Sequence, residues 1–149
     1  MNENFIIDEN ILLNARRGTD EDGNIASNER IFMYCFFKSS KKLPHTLNIR
    51  NQYYKIGKVG LNDITYQDVG LMKWFYQRLV NSDLCPIIDG LKIPKYKFIK
   101  SGDDEYVYLA IFRDGVLVSV DKRLQTEIEK EGLKNKVKCT PVKDALSLV

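Results

Sequence analysis

Three aspartates border the apolar runs of this chain. Asp8 closes Phe5-Ile6-Ile7, Asp121 closes Val116-Leu117-Val118-Ser119-Val120, and Asp103 opens the amphipathic stretch from Glu105 to Phe112. A buried strand that ends in a carboxylate delivers a negative charge to the edge of a sheet, and in parallel α/β sheets ligands bind outside the carboxyl ends of the strands. Three carboxylates gathered at such an edge repel one another and call for a cation. Each aspartate also has an ordinary reading. Asp103 or Asp104 can cap a helix, Asp121 can cap a helix starting at Lys122, and Asp8 can simply end a strand.

The remaining chemistry is sparse. One histidine, His45, excludes any site built on two, and beside Pro44 it reads as a surface or half-buried residue without a catalytic role. Cys35, Cys85 and Cys139 form no CxxC pair and no zinc spacing, so they read as buried, reduced thiols in a cytoplasmic protein. Asp20, Asp22 and Asn24 alternate as in a calcium loop. The glycine is misplaced, however, and Ile31 stands where a bidentate Glu is needed, so that motif is rejected. The net charge of +3 is mild, but its distribution is uneven. Lys38, Lys41 and Lys42 cluster, as do Lys92, Lys95, Lys97 and Lys100, the latter interleaved with Tyr96 and Phe98. Either cluster alone reads as a solvated face. Together with an acidic centre they suit a polyanion whose phosphates lie beside bound metal.

These residues need a scaffold. At 149 residues the chain is long enough for one domain with a sizeable core, 1–149. Its longest apolar run, Ile31 to Phe37, is too short to span a membrane, and Met1 to Asn4 lacks the basic start of a signal peptide. Strands are expected at 4–8, 43–47 (interrupted by Pro44), 116–120 and 136–140, with an extended piece at 95–99. Helices are expected from Ser27 or Asn28 to Phe37 with Ile31, Phe32, Cys35 and Phe36 inward, and from Asn48 to Val59 with Ile49, Gln52, Tyr53 and Ile56 inward. Others are expected over 66–81 with Val69, Met72, Tyr76, Leu79 and Val80 inward, over 103–113 with Val107, Ala110 and Ile111 inward, and over 122–131. Residues 16–26 read as a surface loop, 10–15 as a helix start or loop, and 142–148 as a final helix or tail. Strands alternating with helices imply a parallel α/β sheet with right-handed crossovers.

The order of features resembles the PIN-domain family of metal-dependent nucleases, which includes VapC-like toxins. Phe-Ile-Ile-Asp8-Glu-Asn10 is similar to the family's first strand, and Asp103-Asp104-Glu-Tyr-Val-Tyr-Leu-Ala110 to its central helix. Val-Leu-Val-Ser119-Val-Asp121 is similar to its second acidic strand end, and Lys-Cys-Thr-Pro-Val-Lys-Asp-Ala-Leu to its ending. The family usually carries a fourth acid, a Glu in a helix of the first half. Here Gln52, in Ile-Arg-Asn-Gln52-Tyr-Tyr, stands at that place, and Glu29 is a substitute to weigh.

The resemblance implies a three-layer α/β/α sandwich around a mainly parallel sheet. It implies cleavage of single-stranded RNA assisted by Mg2+ or Mn2+, held by Asp8, Asp103 and Asp121 with Asp104 and Gln52 beside them. Asn10 and Ser119 would orient the carboxylates, and Lys95, Lys97 and Lys100 would hold substrate. Family members often form homodimers, and toxin members pair with a small antitoxin. Because Gln52 brings no charge, a second expectation stands beside the enzyme: a PIN-like module that binds RNA or scaffolds a complex with little turnover. A phosphatase-like α/β enzyme is disfavoured, since no Asp-x-Asp follows the first strand and no glycine-rich phosphate loop is present.

Overall fold

A computed structural model describes residues 3–56 and 68–149 as a mixed α/β fold. Three strands, β1 (Phe5–Ile7), β2 (Val116–Ser119) and β3 (Lys138–Pro141), form a parallel sheet in the order β1-β2-β3. The register pairs Ile7 with Val118 and Ser119 with Pro141. Every residue of β1 and β2 is buried, which explains their unbroken apolar sequences: a parallel strand covered on both faces has no solvent side to alternate with.

The far edge of β1 is also paired. Phe5 N–H donates to Lys42 O at 2.8 Å and Lys42 N–H to Glu3 O at 2.7 Å. Asn4 O and Asp8 N face β2 instead, bonding Val116 N–H and Val118 O. Neighbouring residues of an extended chain direct their polar groups to opposite sides, so Lys42 and β2 flank β1. Farther out, Leu43 N–H donates to Leu84 O and His45 N–H to Pro86 O. The segments therefore run 84–88, 42–45, β1, β2, β3 across the fold, the outer two joined by single parallel bridges, Asn4 to Lys42 and His45 to Ile87. The expected strand at 43–47 is reduced to these bridges because Pro44 has no N–H to extend a ladder. The segment 95–99 joins no ladder.

Seven α-helices are described: α1 (Glu9–Arg17), α2 (Ser27–Lys38), α3 (Leu47–Ile56), α4 (Val69–Leu79), α5 (Asp103–Phe112), α6 (Lys122–Lys130) and α7 (Val142–Ala145), the last continued by a 3-10 turn. Helix α1 packs on α2 and α3, α2 on α4 and α7, and α5 on β1 and β2. The expected end of α3 at Val59, the turn at 60–63 and the expected start of α4 at Tyr66 lie outside the described residues.

Two helices bury a face only partly as expected: Phe32 and Phe36 of α2 and Met72 and Leu79 of α4 are inward, and the rest differ. In α2 the inner side chains are Glu29, Phe32, Met33, Phe36 and Phe37, while Ile31 and Cys35 are exposed. In α4 they are Leu71, Met72, Phe75, Arg78 and Leu79, while Val69 and Val80 face solvent. The deciding partner of α2 is Phe5 of β1, whose ring meets Phe36 edge-on at 5.9 Å and Phe32 at 6.3 Å. Burying each such ring is worth roughly 1.5–3 kcal/mol, which outweighs leaving one Ile and one Cys wet. Caps differ too. Ala26 precedes α2 without a side-chain cap, and the hydroxyl of Thr46, rather than Asn48, takes the Ile49 N–H at the start of α3. His45, expected at the surface or half-buried, is fully buried.

Gly115 enters β2 where no side chain fits. A Cβ there would lie 2.5 Å from Ile6 Cδ1 and 3.1 Å from Asn4 O. The close approach of β1 and β2 requires it.

Candidate carboxylate site

The two adjacent strand ends fix the first two carboxylates. Asp8 follows β1 and caps α1, its Oδ1 accepting the Asn10 N–H at 3.2 Å. Asp121 follows β2 and caps α6, its Oδ1 accepting the Arg123 N–H at 2.9 Å. The ordinary capping reading therefore holds for both, and it does not exhaust either. Ser119 links them: its hydroxyl donates to Asp8 Oδ2 at 3.1 Å and accepts the Asp121 N–H at 3.0 Å. Ser119 thus orients both strand ends, while Asn10 contributes its backbone N–H.

Asp103 arrives at the first residue of α5, behind Gly102. Its Oδ2 accepts from Arg123 Nη2 at 3.0 Å, and the same nitrogen donates to Asp121 Oδ2 at 2.8 Å. Arg123 Nη1 grips both oxygens of Glu127, one helical turn on, at 2.9 and 2.8 Å. One guanidinium thus ties together three carboxylates. Asp104 turns to the helix start, accepting the N–H groups of Gly102 and Glu105 at 3.1 and 2.8 Å. Gln52 accepts the Tyr106 hydroxyl at 2.8 Å, which ties α3 to α5 one turn beyond Asp103. Glu29 lies on α2 with Asn14 and Asp20 as its neighbours and does not join this group.

The lysine segment runs into the site. Lys100 O accepts the N–H of Asp103 at 3.1 Å and of Asp104 at 3.3 Å. Lys95, Lys97 and Lys100 are exposed, and Lys97 Nζ lies 5.4 Å from the centre of the exposed Phe98 ring.

Asp8 is the electrostatically abnormal group. It is 6 % exposed, and burial pushes its carboxyl up to about 6. The Asn10 and Ser119 hydrogen bonds oppose that rise, and the charges of Asp103 and Glu9 add to it. Among the described residues no cation offsets the burial of Asp8, whereas Asp103 and Asp121 share Arg123. The two short bonds in turn hold the Arg123 guanidinium above its ordinary value. Cys139 on β3 is pushed up to about 12 by burial and by Asp8 and Asp121, an inert thiol at neutral pH.

Sequence reading missed the residues that set this geometry. Tyr53 donates its hydroxyl to Ile7 O at 2.5 Å, anchoring α3 beside the end of β1. Glu105 accepts from Thr46 Oγ1 and Asn48 Nδ2, both at 3.0 Å, anchoring the start of α5 to the start of α3. Arg123 had one readable signal, its position two residues after Asp121 and four before Glu127, the spacing of a helical ion pair.

The donor chemistry suits a hard cation: carboxylate oxygens, one of them buried with no counter-charge among the described residues. As the side chains stand, no three His, Cys, Asp or Glu groups among the described residues are gathered closely enough to hold a metal ion. Between Asp103 and Asp121 the cation present is Arg123. No protein-family model, curated protein or solved structure matches the chain.

Proposed function

We propose that this chain is a Mg2+- or Mn2+-dependent endoribonuclease of PIN type, acting on single-stranded RNA at Asp8, Asp103 and Asp121. The observation that carries the reading is the reversal of strand order at the β1–β2 junction. From β1 the chain steps outward to 42–45 and 84–88, then crosses back to β2 and on to β3. Open α/β sheets bind ligands at such a switch point, beyond the carboxyl ends of the strands. Asp8 and Asp121 leave the sheet there, joined through Ser119.

The same reversal supports the three-layer sandwich. Right-handed crossovers running in opposite directions along one sheet put their helices on opposite faces. By that rule α1 to α4 cover one face, and α5 and α6 the other.

In this reading Asp8, Asp103 and Asp121 would hold the cation, which would supply an acidified water as nucleophile and positive charge for the leaving oxygen. The protein's own groups do the rest. Ser119 and the Asn10 N–H hold Asp8 in one orientation. The lysines at 95, 97 and 100 draw in the phosphate backbone, and Phe98 offers a face on which a base stacks. Gln52, engaged with Tyr106, supports the second reading, an RNA-binding module with little turnover, because it adds no charge to the site.

The test is incubation of single-stranded RNA with purified protein and Mn2+. Cleavage lost in EDTA and in Asp8→Asn is the expected result. Tight RNA binding without cleavage, unchanged in Asp8→Asn, would overturn the enzyme in favour of the binding module. No helix of the described residues is long and apolar enough to cross a membrane; a cytoplasmic location belongs to the same proposal, and three free cysteines agree with it.

A further inference from the structure

Arg123 occupies the place where a divalent cation would be most useful. Its Nη2 bonds Asp103 at 3.0 Å and Asp121 at 2.8 Å, and its Nη1 bonds Glu127. The side chain is about half exposed, at 47 %. The contacts that hold its guanidinium are these ion pairs. Asp103 reaches it from α5 and Asp121 from the end of β2, so the guanidinium also draws two distant elements together.

We propose that Arg123 is a built-in counter-ion that competes with divalent metal: it neutralises Asp103 and Asp121 when no metal is bound and must leave both before they can serve as ligands. This rests on the metal-dependent reading above and adds its regulation. The charge balance favours the exchange. One guanidinium offsets one negative charge, whereas Asp8, Asp103 and Asp121 together can carry three. A doubly charged ion drawing on all three gains more than Arg123 does from two. Glu127 gives the displaced arginine a landing place on its own helix, at the i,i+4 position where it is already bidentate. The protein thus keeps the carboxylates of α5 and β2 close together without metal, at the cost of weaker metal affinity.

The experiment is equilibrium binding of Mn2+ to the full chain, read as loss of the free-ion paramagnetic resonance signal, in wild type, Arg123→Gln and Arg123→Lys. Thermal unfolding verifies that each variant is folded. Two exposed ion contacts each contribute a modest amount, so their removal is expected to tighten Mn2+ binding on the order of tenfold in Arg123→Gln. Arg123→Lys keeps the charge but loses the fork, and should fall between the two. If wild type binds Mn2+ and Arg123→Gln binds no more tightly, Arg123 is not a competitor and this inference fails while the metal site stands. If neither protein binds Mn2+, the metal-dependent reading fails and takes this inference with it. If Arg123→Gln does not fold, Glu127→Gln replaces it: freeing the guanidinium from Glu127 is expected to strengthen its hold on the aspartates and weaken Mn2+ binding, and unchanged or tighter binding would overturn the inference.

Discussion

Two arginines of this chain meet negative partners in opposite ways. Arg78, on α4, is buried and donates to the carbonyls of Phe37 at 2.9 Å, Ser39 at 3.0 Å and Lys41 at 2.7 Å, its guanidinium lying 4.8 Å from the Phe36 ring centre. Those carbonyls are the last turn of α2 and the segment behind it, which have no intrahelical donors and carry the negative end of the helix dipole. Arg123 is half exposed and is shared by two partly exposed carboxylates. Backbone dipoles cannot move or change protonation, so Arg78 is part of the architecture. Carboxylates can exchange one cation for another, so Arg123 marks a place where the molecule can change state. The fixed half of the molecule is closed by backbone partners; the carboxyl edge of the sheet is left with charges that only an adjustable counter-ion balances.

The comparison is broken most forcefully at Arg78. Truncation in Arg78→Ala leaves three carbonyls without their donor and a void against Phe36. It should lower unfolding free energy in urea by about 3–5 kcal/mol. A loss below about 1 kcal/mol would mean that water satisfies the carbonyls and that Arg78 is no more structural than Arg123.

The next effect separates the two halves by pH. Burial raises Asp8 from 3.8 to about 6, so the folded state binds the extra proton between those values. Its contribution to stability is therefore most favourable below about 4 and is lost as pH rises through 6, a span worth about 3 kcal/mol. His45 runs the other way. Buried, with Nδ1 against Leu43 O and Nε2 accepting from Arg50, it is lowered from 6.5 to about 4. Its contribution is present above 6.5 and lost as pH falls toward 4, again about 3 kcal/mol. In wild type the two slopes oppose each other across pH 4–6, and stability from these groups is nearly flat. Asp8→Asn should remove one slope, giving a protein that is more stable than wild type at pH 7 without divalent ions and that loses stability on acidification. A variant no more stable at pH 7 would mean that Asp8 carries no uncompensated charge.

Which of these features could be read in the sequence follows from how local their causes are. The strands at 5–7 and 116–119 announce themselves because a strand buried on both faces is apolar throughout, and Asp8 and Asp121 are legible as their ends. The positions of α2, α5 and α6 are legible, α1 stands open between helix and loop, and the inner faces of α2 and α4 are legible only in part. In both, apolar residues occur on more than one side, and the choice falls to partners such as Phe5 that are far away in sequence. The burial of Arg78 is not legible, because nothing local tells that the carbonyls of 37, 39 and 41 surround it. The same holds for His45, whose burial depends on the segment 84–88 folding over it. At the site, the three aspartates were legible as separate candidates. The guanidinium shared by Asp103 and Asp121 was not, because its contact with Asp103 joins α5 to α6 across twenty residues.

A smaller effect is expected where β1 meets β2, on the boundary between the two regions. Gly115→Ala forces a methyl against Ile6 Cδ1 and Asn4 O. The Ile6 side chain can rotate away, but the backbone oxygen cannot, so a loss of about 1–3 kcal/mol in urea denaturation is expected. Because Ile6 lies two residues from Asp8, a shift of β1 should also loosen the Ser119–Asp8 bond. An unchanged midpoint would show that the strands tolerate wider spacing and that the carboxylates are not held by it.

The smallest effect on stability belongs to Arg123, and its smallness is the point. Exposed ion pairs contribute little even when their geometry is good, so Arg123→Ala should change unfolding free energy by no more than about 1 kcal/mol at moderate salt, where Arg78→Ala costs several times that. The sign carries the information. Removing the guanidinium leaves Asp103 and Asp121 repelling each other, so the loss should grow as ionic strength is lowered and screening weakens. Added Mn2+ should reverse it, since the ion supplies the missing charge and binds the folded state preferentially. A loss as large as that of Arg78→Ala, insensitive to salt and to Mn2+, would make Arg123 a second architectural arginine and erase the contrast between the fixed and the exchangeable sides of the fold.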